Sequence, residues 1–339
     1  MLNYVVISGT PFANLLRWLC LIAALAFSCG AIAADKIIYV RPVPNNADAL
    51  LLQGSVGIKD AALYYGLEAS TLESVDSTAG RQQQLANAVQ QKPKFIVLMG
   101  YEFKDLIAPF AAQAPGTHFI WVEHCLEAAP VNVHCVQFRE TEVAYLAGME
   151  AAWASKNGVV GVLGPIDIPT KRHGALAFEA GAKAARSDVK VHPMQWVGGD
   201  VPFNDPVRAE ALATEMLAAG VDVIYAMAAN SNRGVLGALK SQGPKGQATM
   251  IGHPANQCHM LPHKVLDSAE VRYFTAIALA VGQIVGGSGK PRMEYGLKEG
   301  ALSLTSISPG AQLSECSVVK DRALVDKLRQ EKLRVPQAH

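Results

Sequence analysis

"VHCVQFRETEVAYLAGMEAAWASKNGVVGVLG", residues 133–164, decides the fold. It begins and ends on short apolar runs, VHCVQF and VVGVL, with a longer segment between them. In that segment Val143, Ala147 and Ala151 recur at i, i+4 and i+8, which makes one stripe of an α-helix. The flanking runs are continuously apolar rather than alternating, as strands covered on both faces must be. Strand, helix and strand in that order form a parallel unit with a helical crossover.

The same alternation extends in both directions. KIIYV, FIVLM, HFIWV, DVIYAM and TMIG read as further strands. GRQQQLANAVQQ, FKDLIAPFAAQA, ALAFEAGAKAAR, DPVRAEALATEMLAAG and NRGVLGALKSQG read as further helices, several ending in Gly, which suits a helix C-cap. The chain is therefore expected to be α/β, with two doubly wound parallel-sheet lobes joined by a hinge. Its 339 residues suffice for two lobes of ordinary size. The break is expected at FRETE, where several charges separate a strand from a strong helix. The long apolar segment AEVRYFTAIALAVGQIVGG would return to the first lobe as a helix, and the Gly/Pro-rich GSGKPRM would carry the chain back. The expected division is 34–138 with 260–287 in one lobe and 139–259 with 288–339 in the other. The tail from Ala311 carries a charged helix with Leu324 and Leu328 on one face.

The N-terminus indicates the compartment. Arg17 precedes the apolar run WLCLIAALAF, and Ala31 and Ala33 form an A-x-A cleavage pattern, so residues 1–33 read as a secretory signal peptide. A soluble periplasmic protein is expected. Lipid attachment at Cys29 is the alternative, disfavoured by bulky Phe27. Lys and Arg total 30 against 29 Asp and Glu, which argues against nucleic acid as a partner. After cleavage Cys125, Cys135, Cys258 and Cys316 remain, an even number in an exported chain. Three pairings exist. Cys125 and Cys135 flank the short loop LEAAPVNVH and are the favoured pair, leaving Cys258 with Cys316. Four free buried thiols are the alternative.

In open parallel sheets, ligands bind beyond the carboxyl ends of the strands. The candidates are the residues that follow each strand. Tyr101 follows FIVLM and could stack on a planar solute. Glu123 follows HFIWV as an acceptor. Asp167 follows VVGVL and would either accept from a ligand or cap the helix near Thr170. Trp196 and Phe203 flank VGGDVP, and Asn230 follows DVIYAM with an amide for a heterocycle edge. His253 and Asn256 follow TMIG. The stretch IGHPANQCHML, residues 251–261, also offers His253, Cys258, His259 and Met260, with His263 beyond, as ligands suited to copper or zinc. It lacks a helical histidine pair or a Cys-x-x-Cys hairpin, so a disulfide at Cys258 and a cleft wall at His253 and Asn256 are favoured. No metal and no cofactor is implied.

Several stretches resemble one family. GYEFKDLIAPFAAQAPGTHFIWVE, the order of Glu142, Tyr145, Leu146, Ala147 and Gly148, then FEAGAKAA, FNDPVRAEALATEMLAAGVDVIYAMA and RGVLGAL are similar to the basic membrane protein family. That family comprises substrate-binding components of ABC importers, several of which bind purine nucleosides. The resemblance covers roughly residues 90 to 285 and implies the type I periplasmic-binding-protein fold. It also implies that an aromatic at Phe203 stacks on a base. This chain departs from the pattern at the sugar contacts. Pro254 and Asn256 stand where the family has two acids, and Val271 stands where it often has Lys. Its Ser-Phe-Asn motif falls on Ile58, Lys59 and Asp60. A site lacking partners for sugar hydroxyls discriminates against them, so the expected ligand is a free purine-like base or another small nitrogen heterocycle.

The expected function is capture of a small planar solute by a monomer that delivers it to an ABC permease. A ligand sensor for a membrane receptor, a copper or zinc protein and a purine-processing enzyme are the alternatives. The chain carries no G-x-S-x-G elbow, P-loop, H-E-x-x-H or full dinucleotide fingerprint.

Overall fold

The computed structural model describes residues 34–44, 49–243, 246–311 and 314–336. The expected signal peptide, with Cys29 and Ala33, lies outside them. Among the described residues no helix is long and apolar enough to cross a membrane.

The first half of the chain alternates strand and helix: β1 Lys36–Arg41, α1 Ala49–Tyr65, β2 Glu68–Glu73, α2 Thr78–Gln90, β3 Phe95–Met99, α3 Ile107–Gln113, β4 His118–Val122 and β5 Val133–Phe138. These strands pair in parallel in the order β5-β4-β3-β1-β2. Their continuous apolar runs divide between two faces. Ile37, Tyr39, Val97 and Val122 pack with Ile58 of α1, whereas Ile38, Val40, Leu98 and Trp121 pack with Leu85 of α2 and Phe110 of α3. Burial on both faces is what removed the polar alternation from the sequence.

The second sheet starts after β5. It is built from α4 Glu140–Ala154, β6 Val159–Gly164, α5 Pro169–Ala185, β7 Lys190–Val191, β8 Gln195–Trp196, α6 Pro206–Ala218, β9 Val223–Ala226, α7 Asn232–Ser241, β10 Thr249–Gly252 and β11 Val265–Val271. α4 and α5 cross at two glycines. A side-chain carbon at Gly148 would run into the Phe178 carbonyl, and one at Gly181 into the Tyr145 carbonyl. Only glycine permits that approach.

The last third crosses between lobes. α8 Tyr273–Val285 packs on α1 of the first lobe. β12 Arg292–Tyr295 then adds to the first sheet beside β5 in parallel, with Arg292 opposite Cys135. β13 Leu302–Leu304 returns to the second sheet antiparallel to β11, and α9 Arg322–Lys332 packs against α4. The second sheet runs β13-β11-β10-β9-β6-β7, with β8 also on β6.

This placement differs from the expected division in two strands. Residues 265–271 belong to the second sheet, and the helix expected from Ala269 begins at Tyr273. Residues 292–295 belong to the first sheet, so the final crossing follows Tyr295 rather than GSGKPRM. β11 places Asp267 and Ser268 in a fully buried strand, which no apolar run announces. β12 is four residues at a sheet edge with alternating burial.

The crossings are tied together by Arg139. Its Nε donates to Glu142 Oε1 at 2.5 Å, its Nη2 to Glu299 Oε2 at 2.6 Å, and its Nη1 to the Glu294 carbonyl at 2.8 Å. Glu142 Oε2 in turn accepts from the Leu297 N–H at 2.8 Å.

Two disulfides pin loops to these lobes: Cys125–Cys135, with a sequence separation of 10, and Cys258–Cys316, with a separation of 58. Chain-entropy arithmetic assigns about 3 kcal/mol to the shorter loop and about 4 kcal/mol to the longer. Replacing Cys258 and Cys316 together by Ala is therefore expected to lower the urea midpoint more than replacing Cys125 and Cys135. The reverse order would show that strain or residual unfolded structure dominates loop closure here.

Beneath the second disulfide lie two fully buried carboxyls, Glu150 of α4 and Asp267 of β11. Asp267 Oδ1 accepts from the Ser268 N–H at 2.7 Å and the Ser306 N–H at 3.1 Å. Asp267 Oδ2 and both Glu150 oxygens meet no donor among the described residues. Burial raises both acids, Asp267 to about 7, and Asp267 beside Glu150 raises Glu150 well above the carboxylate range. Glu270 pushes Asp267 further upward. The folded state thus holds protons that the unfolded chain releases near pH 4. Stability is full below that point and is lost as pH rises through about 7. Urea midpoints measured from about pH 5 to about pH 8 should fall for the native chain and stay level for the double variant Glu150→Gln with Asp267→Asn. An equal fall in both would exonerate the acid pair.

Candidate functional site

The carboxyl ends of both sheets face a shared cavity of ≈ 170 Å³. Among the described residues, lobe 1 contributes Leu50, Glu123 and Tyr273, and lobe 2 contributes Glu140, Lys171, Phe203, Met227, Ala229, His253 and Pro254.

Each polar side chain reaches the cavity from a strand end or from the first turn of the following helix. Glu123 comes directly after β4 in a left-handed conformation, φ 71°. Its N–H donates to the Val136 carbonyl at 2.7 Å, and Tyr273 Oη donates to its Oε1 at 2.5 Å. Ala229, three residues after β9, is also left-handed at φ 52°. Non-glycine residues in this region cost of order 1–3 kcal/mol and cluster at ligand clamps. Tyr273 opens α8 and is held edge-on to Phe138, ring centroids 5.2 Å apart. Glu140 opens α4, where the helix N-terminus favours a carboxylate. Lys171 lies in the first turn of α5.

The lobe 2 groups form one electrostatic unit. Lys171 Nζ donates to Glu140 Oε2 at 3.4 Å, and His253 Nε2 faces the same oxygen at 3.4 Å. Burial raises the Glu140 carboxyl, but Lys171 and His253 outweigh it and hold the group well below the usual carboxylate range. Glu140, and more weakly Glu123 across the cleft, raise Lys171 against the effect of burial. Burial lowers His253 despite Glu140, so its imidazole is neutral. His253 is 3% exposed and stands edge-on to Tyr225. Its Nε2 has only the 3.4 Å contact with Glu140, and Nδ1 has no hydrogen-bond partner among the described residues.

Three residues expected from the sequence line this cavity: Glu123, Phe203 and His253. The other five do not. Tyr101 is 59% exposed, accepts from Lys104 Nζ at 2.9 Å and rests its edge on His124. Asp167 accepts two bonds from exposed Arg172, at 2.9 and 2.6 Å, and does not cap α5, whose first turn follows Ile168. Trp196 covers Gly164, where any side chain would collide with its ring. Asn230 is exposed, and the buried amide of that turn is Asn232. Asn256 is exposed and accepts from the Cys258 N–H at 3.0 Å.

The sequence reading missed Glu140, Lys171 and Tyr273. All three lie in the first turn of a helix that follows a strand end. Extending each candidate loop by one helical turn would have found them.

Asn232 holds the lobe 2 wall in shape. Fully buried, its Nδ2 donates to the carbonyls of Ala226 at 2.8 Å and His253 at 2.9 Å and to Gln257 Oε1 at 3.1 Å. Its Oδ1 accepts from the Ala228 N–H at 2.9 Å. One amide thus joins the loops after β9 and β10. Asn232→Ala strands these partners and should cost about 3 kcal/mol in urea denaturation. A loss of less than about 1 kcal/mol, an ordinary single-bond figure, would mean that water replaces the amide.

Two doubly wound lobes whose strand ends converge on one small polar and aromatic cavity have the fold of type I periplasmic binding proteins. The chain belongs to the Bmp family, whose model, described as ABC transporter substrate-binding protein PnrA-like, matches residues 53–338. It is thus a substrate-binding protein and not an enzyme. It is 30% identical over 257 residues to basic membrane protein A2 of Borrelia garinii subsp. bavariensis, covering 73% of this chain and 72% of that one. It is 27% identical over 233 residues to the ABC transporter nucleoside-binding protein BmpA of Lactococcus lactis subsp. cremoris, covering 64% of this chain and 65% of that one. An ABC transporter system solute-binding protein from Aeropyrum pernix K1 shares the fold, with a TM-score of 0.66 at 23% identity, over 90% of this chain and 94% of that one.

Proposed function

We propose that the protein captures a small, flat nitrogen heterocycle, a purine base or nucleoside-like compound, and delivers it to an ABC permease. It acts as a periplasmic monomer exported by its N-terminal segment. The observation that carries this reading is the half-enclosed cavity of ≈ 170 Å³ between facing strand ends, with Phe203 on one wall and polar groups from both lobes. That volume is below the roughly 300–1,000 Å³ of pockets for drug-sized ligands, which favours a one- or two-ring solute. Phe203 offers a face for stacking, and the surrounding polar groups suit a heterocycle edge. The nucleoside-binding relative supports the same class of solute. The ligand would favour the closed arrangement of the lobes by no more than its differential affinity for it.

A thermal-shift screen over bases, nucleosides, amino acids, sugars and divalent metals tests the reading, because a ligand selective for the folded form raises its melting temperature. Bases should shift the midpoint and sugars and amino acids should not. Stabilisation by metals alone would overturn it.

A further inference from the structure

The lobe 2 wall of the cavity carries unspent hydrogen-bonding capacity. His253 is nearly inaccessible, yet among the described residues neither ring nitrogen has a well-seated partner: Nε2 has only the 3.4 Å contact with Glu140. A buried polar group in that state is costly and calls for a partner. Lys171 and Glu140 stand 3.4 Å apart. A seated ammonium–carboxylate bond is about 2.7–2.9 Å, so this pair is slack. Lys171 has three N–H donors, and 3.4 Å is its hydrogen bond to Glu140.

Resting on the heterocycle reading above, we propose that this wall recognises the neutral –NH–C(=O)– edge of a cyclic amide. The ligand's carbonyl oxygen accepts from Lys171 and from the His253 N–H, and its ring N–H donates to the Glu140 carboxylate.

Three arguments select that edge. The first is spacing. Standard bond lengths place the nitrogen and oxygen of a cis amide about 2.2 Å apart, a bite that a donor and an acceptor 3.4 Å apart can meet side by side. The second is lone-pair count. A carbonyl oxygen has two lone pairs and satisfies both Lys171 and His253. A ring imine nitrogen, as in an amino–imine edge, has one and leaves one donor unmet. The third is charge. Lys171 and Glu140 balance each other, so the edge they meet is neutral. A carboxylate or phosphate would face Glu140 and Glu123 in the same cavity, and a protonated amidine would face Lys171.

The test is calorimetric titration with hypoxanthine and adenine, which differ in this edge. Hypoxanthine should bind the native protein about 10- to 100-fold more tightly, the range of one hydrogen bond to a charged group. Lys171→Met should remove that preference. The neutral pair Glu140→Gln with Lys171→Met guards against misfolding, since it removes both members of the ion pair together; it should keep the native melting temperature and lose the preference. Equal affinity for both bases in the native protein, or a preference that survives in the double variant, overturns the proposal and leaves the heterocycle reading intact. Binding of neither base, nor of any nucleoside, would overturn both.

Discussion

The architecture depends on one ion-pair cluster at the joint between the lobes. Arg139 is the last residue before α4, and its guanidinium reaches Glu142 on the outgoing crossing and Glu299 on the returning one. Glu142, buried at 3% exposure, also accepts from the Leu297 backbone. Such a cluster is strongly destabilised by loss of one partner, because the remaining charge is then buried alone. Its effect is geometrical as much as energetic. It fixes two crossings against each other, so the carboxyl ends of the two sheets look into the same space. Without that constraint, Glu123 and Tyr273 would have no reason to face Lys171 and His253.

The fold was legible where a strand is apolar on both faces. β1, β3, β4, β6 and β9 announce themselves because neighbouring residues bury in opposite directions and none can be polar. β11 hid because Asp267 and Ser268 sit inside it, tolerated by the Ser306 N–H, the Ser268 N–H and the raised affinity for protons of the Glu150–Asp267 pair. A strand stabilised by such local partners has no signature in hydropathy. β12 hid for another reason: four residues at a sheet edge alternate, and any short loop can do the same by chance.

The site was legible in part, and the division is physical. Residues directly after a strand have their position set by the ladder, so Glu123 and His253 followed from topology alone. Residues further into a loop are placed by local partners that the sequence does not rank. Asp167 lies five residues before Arg172 and is taken by it, and Asn256 is taken by the Cys258 N–H. Glu140 and Lys171 come from helix first turns, whose direction depends on how α4 and α5 cross. That crossing is dictated by Gly148 and Gly181, both within reach of backbone carbonyls on the opposite helix.

α4 therefore links three regions that would otherwise be separate. Its first residue, Glu140, is an ionised carboxylate in the cavity, held by Lys171. Glu142, on the same first turn, anchors the crossings. Glu150, further along, is a buried acid against β11. The three carboxyls differ only in their surroundings: a slack cation partner, a tight guanidinium, and another acid. α4 is locked to α5 by close backbone contact at Gly148 and Gly181. A displacement of the α4 backbone would be shared with the joint at Glu142 and the core at Glu150, since close-packed interiors transmit displacement rather than dissipate it. The cavity carboxylate and the joint carboxylate thus stand two residues apart on one helix, so the site and the crossings share a single scaffold.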